Sequence, residues 1–334
     1  MSQDRVLLAH GAGGRMMGEL IERVFLSRFS GAGARLGDDS ATLPAAGPVA
    51  FTTDAYVVDP LFFPGGDIGR LAVFGTVNDL ATAGAVPEWL SASFVLEEGL
   101  EISVLESVAE SMAAAAKEAG VSIVTGDTKV VPRGAADKMF VVTAGVGRLL
   151  RPRPITGAGA REGDVVLING PVGDHGIAVL SKREGLAFET DIASDCAPLG
   201  RVAAAAVQAG DVHAMRDPTR GGLASALNDL AAQSGVCIEV DEAAIPVCDA
   251  VKSACEMLGF DVLHVANEGK MVVIAAAADA EKVLEAMKAA PHGEESRVIG
   301  RVLAGLAGQV RLRTAHGTTR LIDKPAGELL PRIC

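Results

Sequence analysis

Apolar residues return every three to four positions in some stretches of this chain and form short uninterrupted runs in others, the signatures of amphipathic helices and buried strands. Over residues 16–29, Met17, Leu20, Ile21, Val24 and Phe25 share one helical face. Leu71, Phe74, Val77 and Leu80 do the same over 67–83, with Asp67 placed as N-cap and Gly84 as the stop. In the next helix Leu105, Val108, Met112 and Ala116 recur, Ser103 and Glu106 read as a capping box, and Gly120 ends the run. Further helical spacing covers 198–210, 221–234, 248–258 and 280–290. Strand-like runs occupy 49–52, 121–124, 138–146, 164–168, 236–240, 262–265 and 271–275, and 310–313 with 318–322 reads as a hairpin around His316-Gly317.

The alternation predicts an α/β protein with mixed sheets, and 334 residues exceed what one core usually supports. The apolar rhythm breaks at Arg148, Arg151, Pro152, Arg153 and Pro154, followed by a Gly/Ala-rich segment at 157–160. This places a first domain over 1–150 and a second over 151–320. Pro325, Gly327 and Pro331 oppose helix and central strand, so 321–334 reads as a flexible tail.

Composition narrows the function. With 49% hydrophobic residues the chain can bury substantial cores, and its charge of −12 disfavours nonspecific binding to nucleic acid or anionic membranes. An anionic nucleotide would have to be held by local devices: glycine-loop amides, helix N-termini and metal ions. The cysteines Cys196, Cys237, Cys248, Cys255 and Cys334 form no CxxC pair, which suits a reducing cytoplasm. No signal peptide opens the chain and no apolar run is long enough to span a membrane, so a cytoplasmic protein is expected.

His10-Gly11-Ala12-Gly13-Gly14 could cradle phosphate or be an ordinary turn; it lacks the Gly-Lys-Ser/Thr ending of a P-loop. Asp38, Asp39, Asp54, Asp79 and Asp127 lie in Gly-Asp, Thr-Asp and Asn-Asp contexts, with Asp54 and Asp127 just after strand-like runs. Such carboxylates suit magnesium held jointly with phosphates, and suit turns and caps equally. The loop Asp217-Pro-Thr-Arg-Gly-Gly222 can set Arg220 near a phosphate. His175 is either catalytic or structural, and Cys248 with Cys255, seven positions apart on one helical face, reads as buried packing. The last residue, Cys334, puts a thiol beside its own carboxylate. The 14 residues from Leu321 could span roughly 45 Å, far enough to carry that thiol to a distant site.

Pro331-Arg332-Ile333-Cys334 resembles the terminal signature of the HypE family of hydrogenase maturation factors. The resemblance runs through His10–Gly14, Gly37-Asp38-Asp39, Thr53-Asp54, Asn78-Asp79-Leu80-Ala81, Gly126-Asp127-Thr128-Lys129-Val130, Asp217–Gly222 and Asn267-Glu268-Gly269, covering nearly the whole chain. It implies the PurM-like architecture, an N-terminal domain that pairs in a homodimer and a C-terminal α/β domain, with ATP at the cleft. By that resemblance Gly11, Gly13, Gly14, Asp38, Asp39, Asp54, Asn78, Asp79 and Asp127 would meet the nucleotide, with Mg2+ on Asp38, Asp54, Asp79 and Asp127. Cys334 would receive a carbamoyl group from the partner HypF and carry it through ATP-dependent dehydration to a thiocyanate, for delivery of cyanide to a HypC–HypD complex. Lys129 and Glu268 match the positions of the general base. A lysine needs its pKa lowered for that role, whereas an ordinary glutamate is already a base at neutral pH; a surface ion pair is the plainer use of both. Other PurM-like synthetases and kinases need no terminal cysteine. A noncatalytic assembly scaffold would not need the acidic motifs.

Overall fold

A computed structural model of the chain describes residues 5–11, 15–29, 44, 47–186, 192–325, 327, 330 and 332–334. Gly13, Gly14, Asp38 and Asp39 lie outside the described residues. In chain order the elements are α1 (Arg15–Leu20), continued by a π-helical stretch Ile21–Leu26, then β1 (Val49–Tyr56), the short pair β2 (Phe62–Phe63) and β3 (Gly66–Asp67), α2 (Ile68–Thr82), β4 (Ala85–Glu97), α3 (Ile102–Ala119), β5 (Ser122–Val131) and β6 (Met139–Leu149). After a connection over 150–164 come β7 (Val165–Ile168), α4 (Asp174–Glu184), α5 (Gly200–Ala209), β8 (Val212–Arg216), α6 (Gly222–Ser234), β9 (Cys237–Asp241), α7 (Asp249–Leu258), β10 (Val272–Ala275), α8 (Ala280–Lys288), β11 (Arg297–Leu303), β12 (Val310–Arg313) and β13 (Thr319–Leu321).

The first sheet has the order β1-β6-β4-β5, antiparallel except for β4 and β5, which α3 connects in parallel. α2 packs on one face of it, because Leu71, Phe74 and Val77 meet the inward residues Leu90, Ala92 and Val141. Asp67 caps α2 as its spacing predicts, accepting from the amides of Gly69 (2.7 Å) and Arg70 (3.1 Å). The opposite face carries no helix among the described residues.

The second sheet has the order β13-β12-β9-β11-β7-β10-β8. It is buried on both sides: Val166, Ile168, Val272 and Ile274 face a core with α6, while Leu167, Val273 and Ala275 face one with α5 and α8. That is why residues 271–275 read as a continuous apolar run rather than an alternating one. α4, α7 and the last residues of the chain join the core of the first sheet instead, so Ile177, Val251, Leu330 and Ile333 pack in one cluster with Phe63 and Phe74.

Several local expectations need correction. Ser103 is inside α3; the N-cap position belongs to Glu101, which makes no side-chain cap bond. Residues 262–265 form a 3-10 turn, Val262–His264, because Asp261 caps it by accepting from the Leu263 amide at 3.0 Å. β4, over which no strand was expected, alternates buried and half-buried residues on either side of a bulge between Pro87 and Trp89 that shifts its register. β11 is likewise broken by Gly300, where a Cβ would stand 2.2 Å from the Glu239 carbonyl. β1 and β5 both outrun their apolar stretches, so Asp54 and Asp127 lie within strands, not after them. Cys255 is buried, but Cys248 is exposed at the start of α7.

Candidate active site

The end of the chain is seated on the body of the protein against the segment that follows β1. The amides of Val57 and Asp59 donate to the backbone oxygens of Cys334 (3.1 Å) and Arg332 (3.2 Å), extending the line of β1. The Arg332 guanidinium donates to the Val57 carbonyl at 2.9 Å and to Asp137 at 2.5 Å. Ile333 and Leu330 are 3% and 8% exposed. The final residue therefore comes to rest where β1, α2, β8 and the loop after it converge.

That point is a cavity of about 290 Å³ lined by Cys334, Asp54, Asp79, Asp217, Glu268, Tyr56 and, on its basic side, Arg216 and Arg220. Cys334, Asp54, Asp79 and Glu268, each singled out by sequence, are thus brought together. Asp79 accepts from the Thr52 hydroxyl at 2.8 Å; burial, then the nearby Asp54, still raises its carboxyl above the usual range. Asp217 is pushed up to about 7 by burial and by Asp79. Burial raises Glu268 well above the usual carboxylate range, helped by Asp195, Asp217, Asp54 and Asp79, and its Oε1 has no hydrogen-bond partner among the described residues. Burial thus favours the protonated form of Glu268, in contrast to an ordinary surface glutamate.

The motif Asn267-Glu268-Gly269 explains how that carboxyl is aimed. Asn267 accepts from the Gly173 amide at 2.7 Å and donates to the Pro218 carbonyl at 2.9 Å. Asp195, 4% exposed and paired with Lys270 at 3.1 Å, accepts from the amides of Glu268 (3.0 Å) and Gly269 (3.2 Å). A Cβ on Gly269 would stand 1.8 Å from the Asp195 carbonyl, so only glycine allows this approach. Glu268 is left with nowhere to point except the cavity.

Other expected residues sit elsewhere. Asn78 is buried and its amide is fully engaged, donating to the carbonyls of Ala197 (3.0 Å) and Glu268 (3.1 Å) and accepting from the Leu199 amide (2.8 Å). Gly11 packs where a Cβ would stand 2.7 Å from the Val130 amide nitrogen of β5. Asp127 and Lys129 pair with each other at 2.7 Å on β5, the opposite edge of the sheet from β1, and do not line the cavity. Three strand spacings, roughly 14 Å, separate those edges. Lys129 and Glu268 are therefore not a pair within one chain.

Sequence reasoning did not single out Asp217 or Tyr56 for the site. Asp217 stood in a quoted motif beside Arg220, but only the fold shows that its carboxyl joins the acidic wall. The resolved relation of the histidine is also new: His175 is fully buried, with one ring nitrogen 2.8 Å from the Ile333 carbonyl and the other 2.8 Å from the Ser194 hydroxyl. Its role is structural, one of the two readings its sequence context left open.

The donor set fits a magnesium–nucleotide complex better than a metal bound by protein alone. Among the described residues no three Asp, Glu, His or Cys side chains converge tightly enough to hold an ion. Magnesium in nucleotide sites takes one or two carboxylates and completes its shell with phosphate oxygens and water. Clustered carboxyls whose proton affinity is raised by burial and then by one another, facing two arginines, have the chemistry for that combination.

Residues 37–149 match the family model for the N-terminal domain of AIR synthase related proteins, and residues 161–313 the model for the C-terminal domain. The carbamoyl dehydratase HypE of Cupriavidus necator is 53% identical over 334 residues, covering 99% of this chain and 95% of that protein. A crystal structure of the hydrogenase maturation protein HypE in complex with ATP superposes with a TM-score of 0.95 at 50% identity, over 98% of this chain and 99% of that one. A HypE–HypF complex matches at a TM-score of 0.81 and 45% identity, over 93% of this chain and all of its counterpart.

Proposed function

This chain belongs to the HypE carbamoyl dehydratases of hydrogenase maturation, and from that membership we propose that the cavity at Cys334 is where ATP drives dehydration of an S-carbamoyl group carried on that cysteine. The observation that carries the proposal is the docked terminus, which makes Cys334 part of the lining of the cavity it shares with Asp54, Asp79, Asp217 and Glu268.

The carbamoyl oxygen is a poor leaving group. Transfer of the γ-phosphoryl group of ATP, as co-substrate, to that oxygen makes it phosphate; loss of both nitrogen protons and departure of phosphate then leave S–C≡N on Cys334, with ADP as the other product. Arg216 and Arg220 hold and neutralise phosphate oxygens. Asp54 and Asp79 would hold magnesium jointly with triphosphate oxygens, with Asp217 beside them in the same wall. Magnesium supplies charge neutralisation at the transferring phosphoryl group when bound. Glu268 accepts a proton from the carbamoyl nitrogen, and the burial that raises its pKa makes its carboxylate a stronger base than an exposed one.

Asp127 and Lys129 enter through a second copy. The free face of the first sheet presents Phe51, Trp89, Phe140, Val142 and Val146, with Phe51 69% exposed. Asp127 and Lys129 pair in register with Ser93 and Val95, whose side chains lie on that same face. A homodimer formed by packing two such faces buries the aromatic patch and carries Lys129 of one chain towards the cavity of the other. HypF is the carbamoyl donor and a HypC–HypD complex the cyanide acceptor in this scheme; the structural match to a HypE–HypF complex supports the first of these.

Mass spectrometry of the C-terminal peptide tests the proposal. Incubation with HypF, carbamoyl phosphate and ATP is expected to add a carbamoyl group to Cys334, and a second incubation with Mg-ATP to remove one water from it. An unmodified Cys334 in the presence of active HypF would overturn the assignment.

A further inference from the structure

Two sites on opposite sides of the seated tail fix its last residues. On the inner side stands His175 of α4. The Ile333 carbonyl can only accept, so the His175 nitrogen 2.8 Å away, Nε2, carries the proton. Nδ1 is then an acceptor, filled by the Ser194 hydroxyl at 2.8 Å. Ser194 in turn accepts from the Cys196 amide at 3.1 Å, and its own amide donates to the Pro64 carbonyl at 2.8 Å. The ring is also held edge-on against Phe63, with centroids 5.4 Å apart. Every polar atom of this imidazole is assigned, and its one outward donor goes to the tail.

On the outer side Arg332 bridges the Val57 carbonyl and Asp137. Its backbone has φ of +52°, a left-handed conformation that an unconstrained arginine disfavours by about 1 kcal/mol. The contacts of the seated state hold that conformation; a freely extended tail would not keep it.

These contacts pull against an accessibility requirement. A carbamoyl donor must reach the Cys334 sulfur from outside, whereas dehydration needs that sulfur in the cavity. Resting on the assignment of the carbamoyl group to Cys334, we propose that His175 and the Arg332–Asp137 pair are a two-point latch that positions the tail for dehydration and must open for carbamoylation. His175 and Asp137 are positioning residues: neither lines the cavity, and each acts through the backbone or side chain of the tail.

The latch predicts that its loss divides the two half-reactions. Asp137→Asn changes a surface residue that is 45% exposed and leaves the core intact. His175→Phe keeps ring volume but removes the donor to Ile333; circular dichroism melting checks that it folds. In both variants, amide exchange at Val57 and Asp59 is expected to accelerate about tenfold, as the loss of one buried or charge-assisted hydrogen bond implies. Dehydration of protein already carrying the carbamoyl group is expected to slow, while carbamoylation by HypF proceeds at least as fast as in the wild type. A general structural defect would slow both. Unchanged exchange at Val57 and Asp59 in Asp137→Asn, or equal slowing of both half-reactions, overturns the latch. Failure of the wild-type chain to take up a carbamoyl group overturns the assignment of Cys334 instead, and the exchange measurement still decides whether these residues hold the tail.

Discussion

Asn78 on α2 donates its amide to the backbone carbonyl of Glu268, 190 residues further along the chain, at 3.1 Å. Its remaining bonds go to Ala197 and Leu199, so one side chain ties the helix under the first sheet to two loops of the second. Asn78→Ala orphans two buried carbonyls and an amide at once. The expected loss is about 2–4 kcal/mol in urea unfolding, the range for breaking a buried polar network. A loss below about 0.5 kcal/mol would mean that water replaces the clasp at little cost.

Burial favours the protonated form of Glu268, and glutamine is nearly isosteric with that form. Glu268→Gln is therefore expected to change stability by less than about 1 kcal/mol, within the range of shape-conserving changes. Dehydration should nonetheless fall by about 10²-fold or more, the usual contribution of a general base. Carbamoylation of Cys334 should be spared. Full dehydration activity in Glu268→Gln would remove the carboxyl from the mechanism and leave Lys129 as the base.

Much of the layered fold was legible because burial imposes period: α2, α3 and α6 were readable from apolar spacing, and β10 from an unbroken apolar run. The terminal thiol and the acidic motifs were legible as chemistry through family resemblance. What stayed hidden depends on distance across the chain. Asn78 and Glu268 each looked like site residues, yet only the fold shows that one amide is spent holding the other's backbone. The proton affinity of Glu268 could not be read either, since it arises first from burial and then from Asp195, Asp217, Asp54 and Asp79, which lie far apart in sequence. Strand ends were short by several residues because Thr53-Asp54 and Gly126-Asp127 are polar, although the ladder continues through them.

Asp217 gives a pH signature. Its pKa rises from 3.8 to about 7 on folding, so between those values the folded state binds more protons than the unfolded chain. Stability from this group is fully present below the unfolded value and is lost as pH rises towards 7. Asp217→Asn removes that loss. The variant is expected to gain about 1–2 kcal/mol over the wild type at pH 8, after discounting for water in the cavity, and to gain little at pH 4. Thermal melts of both proteins across this range check it; a gain independent of pH would point to packing rather than ionisation. Saturating magnesium and nucleotide should shrink the difference, by satisfying the wild-type carboxylate.

The open face of the first sheet makes the last prediction. Phe51, Trp89, Phe140, Val142 and Val146 stand on it together, and Phe51 is 69% exposed, an unusual position for a phenylalanine in a strand otherwise well paired. If two copies bury this face, Phe51→Asp places a charge in the contact and should convert the protein to monomers at micromolar concentration, as measured by light scattering after size exclusion. Its effect on the fold should be small, because the side chain makes no part of the core beneath α2. Dehydration should fall with dimerisation, since Asp127 and Lys129 lie at the wrong edge of their own sheet to reach the Asp54 side. Mixing Phe51-intact chains carrying Lys129→Ala with intact chains carrying Glu268→Gln supplies the decisive case. Heterodimers hold one cavity with both Lys129 and Glu268 only if Lys129 acts across the interface, so partial recovery of dehydration establishes action in trans, and none assigns both residues to a single chain.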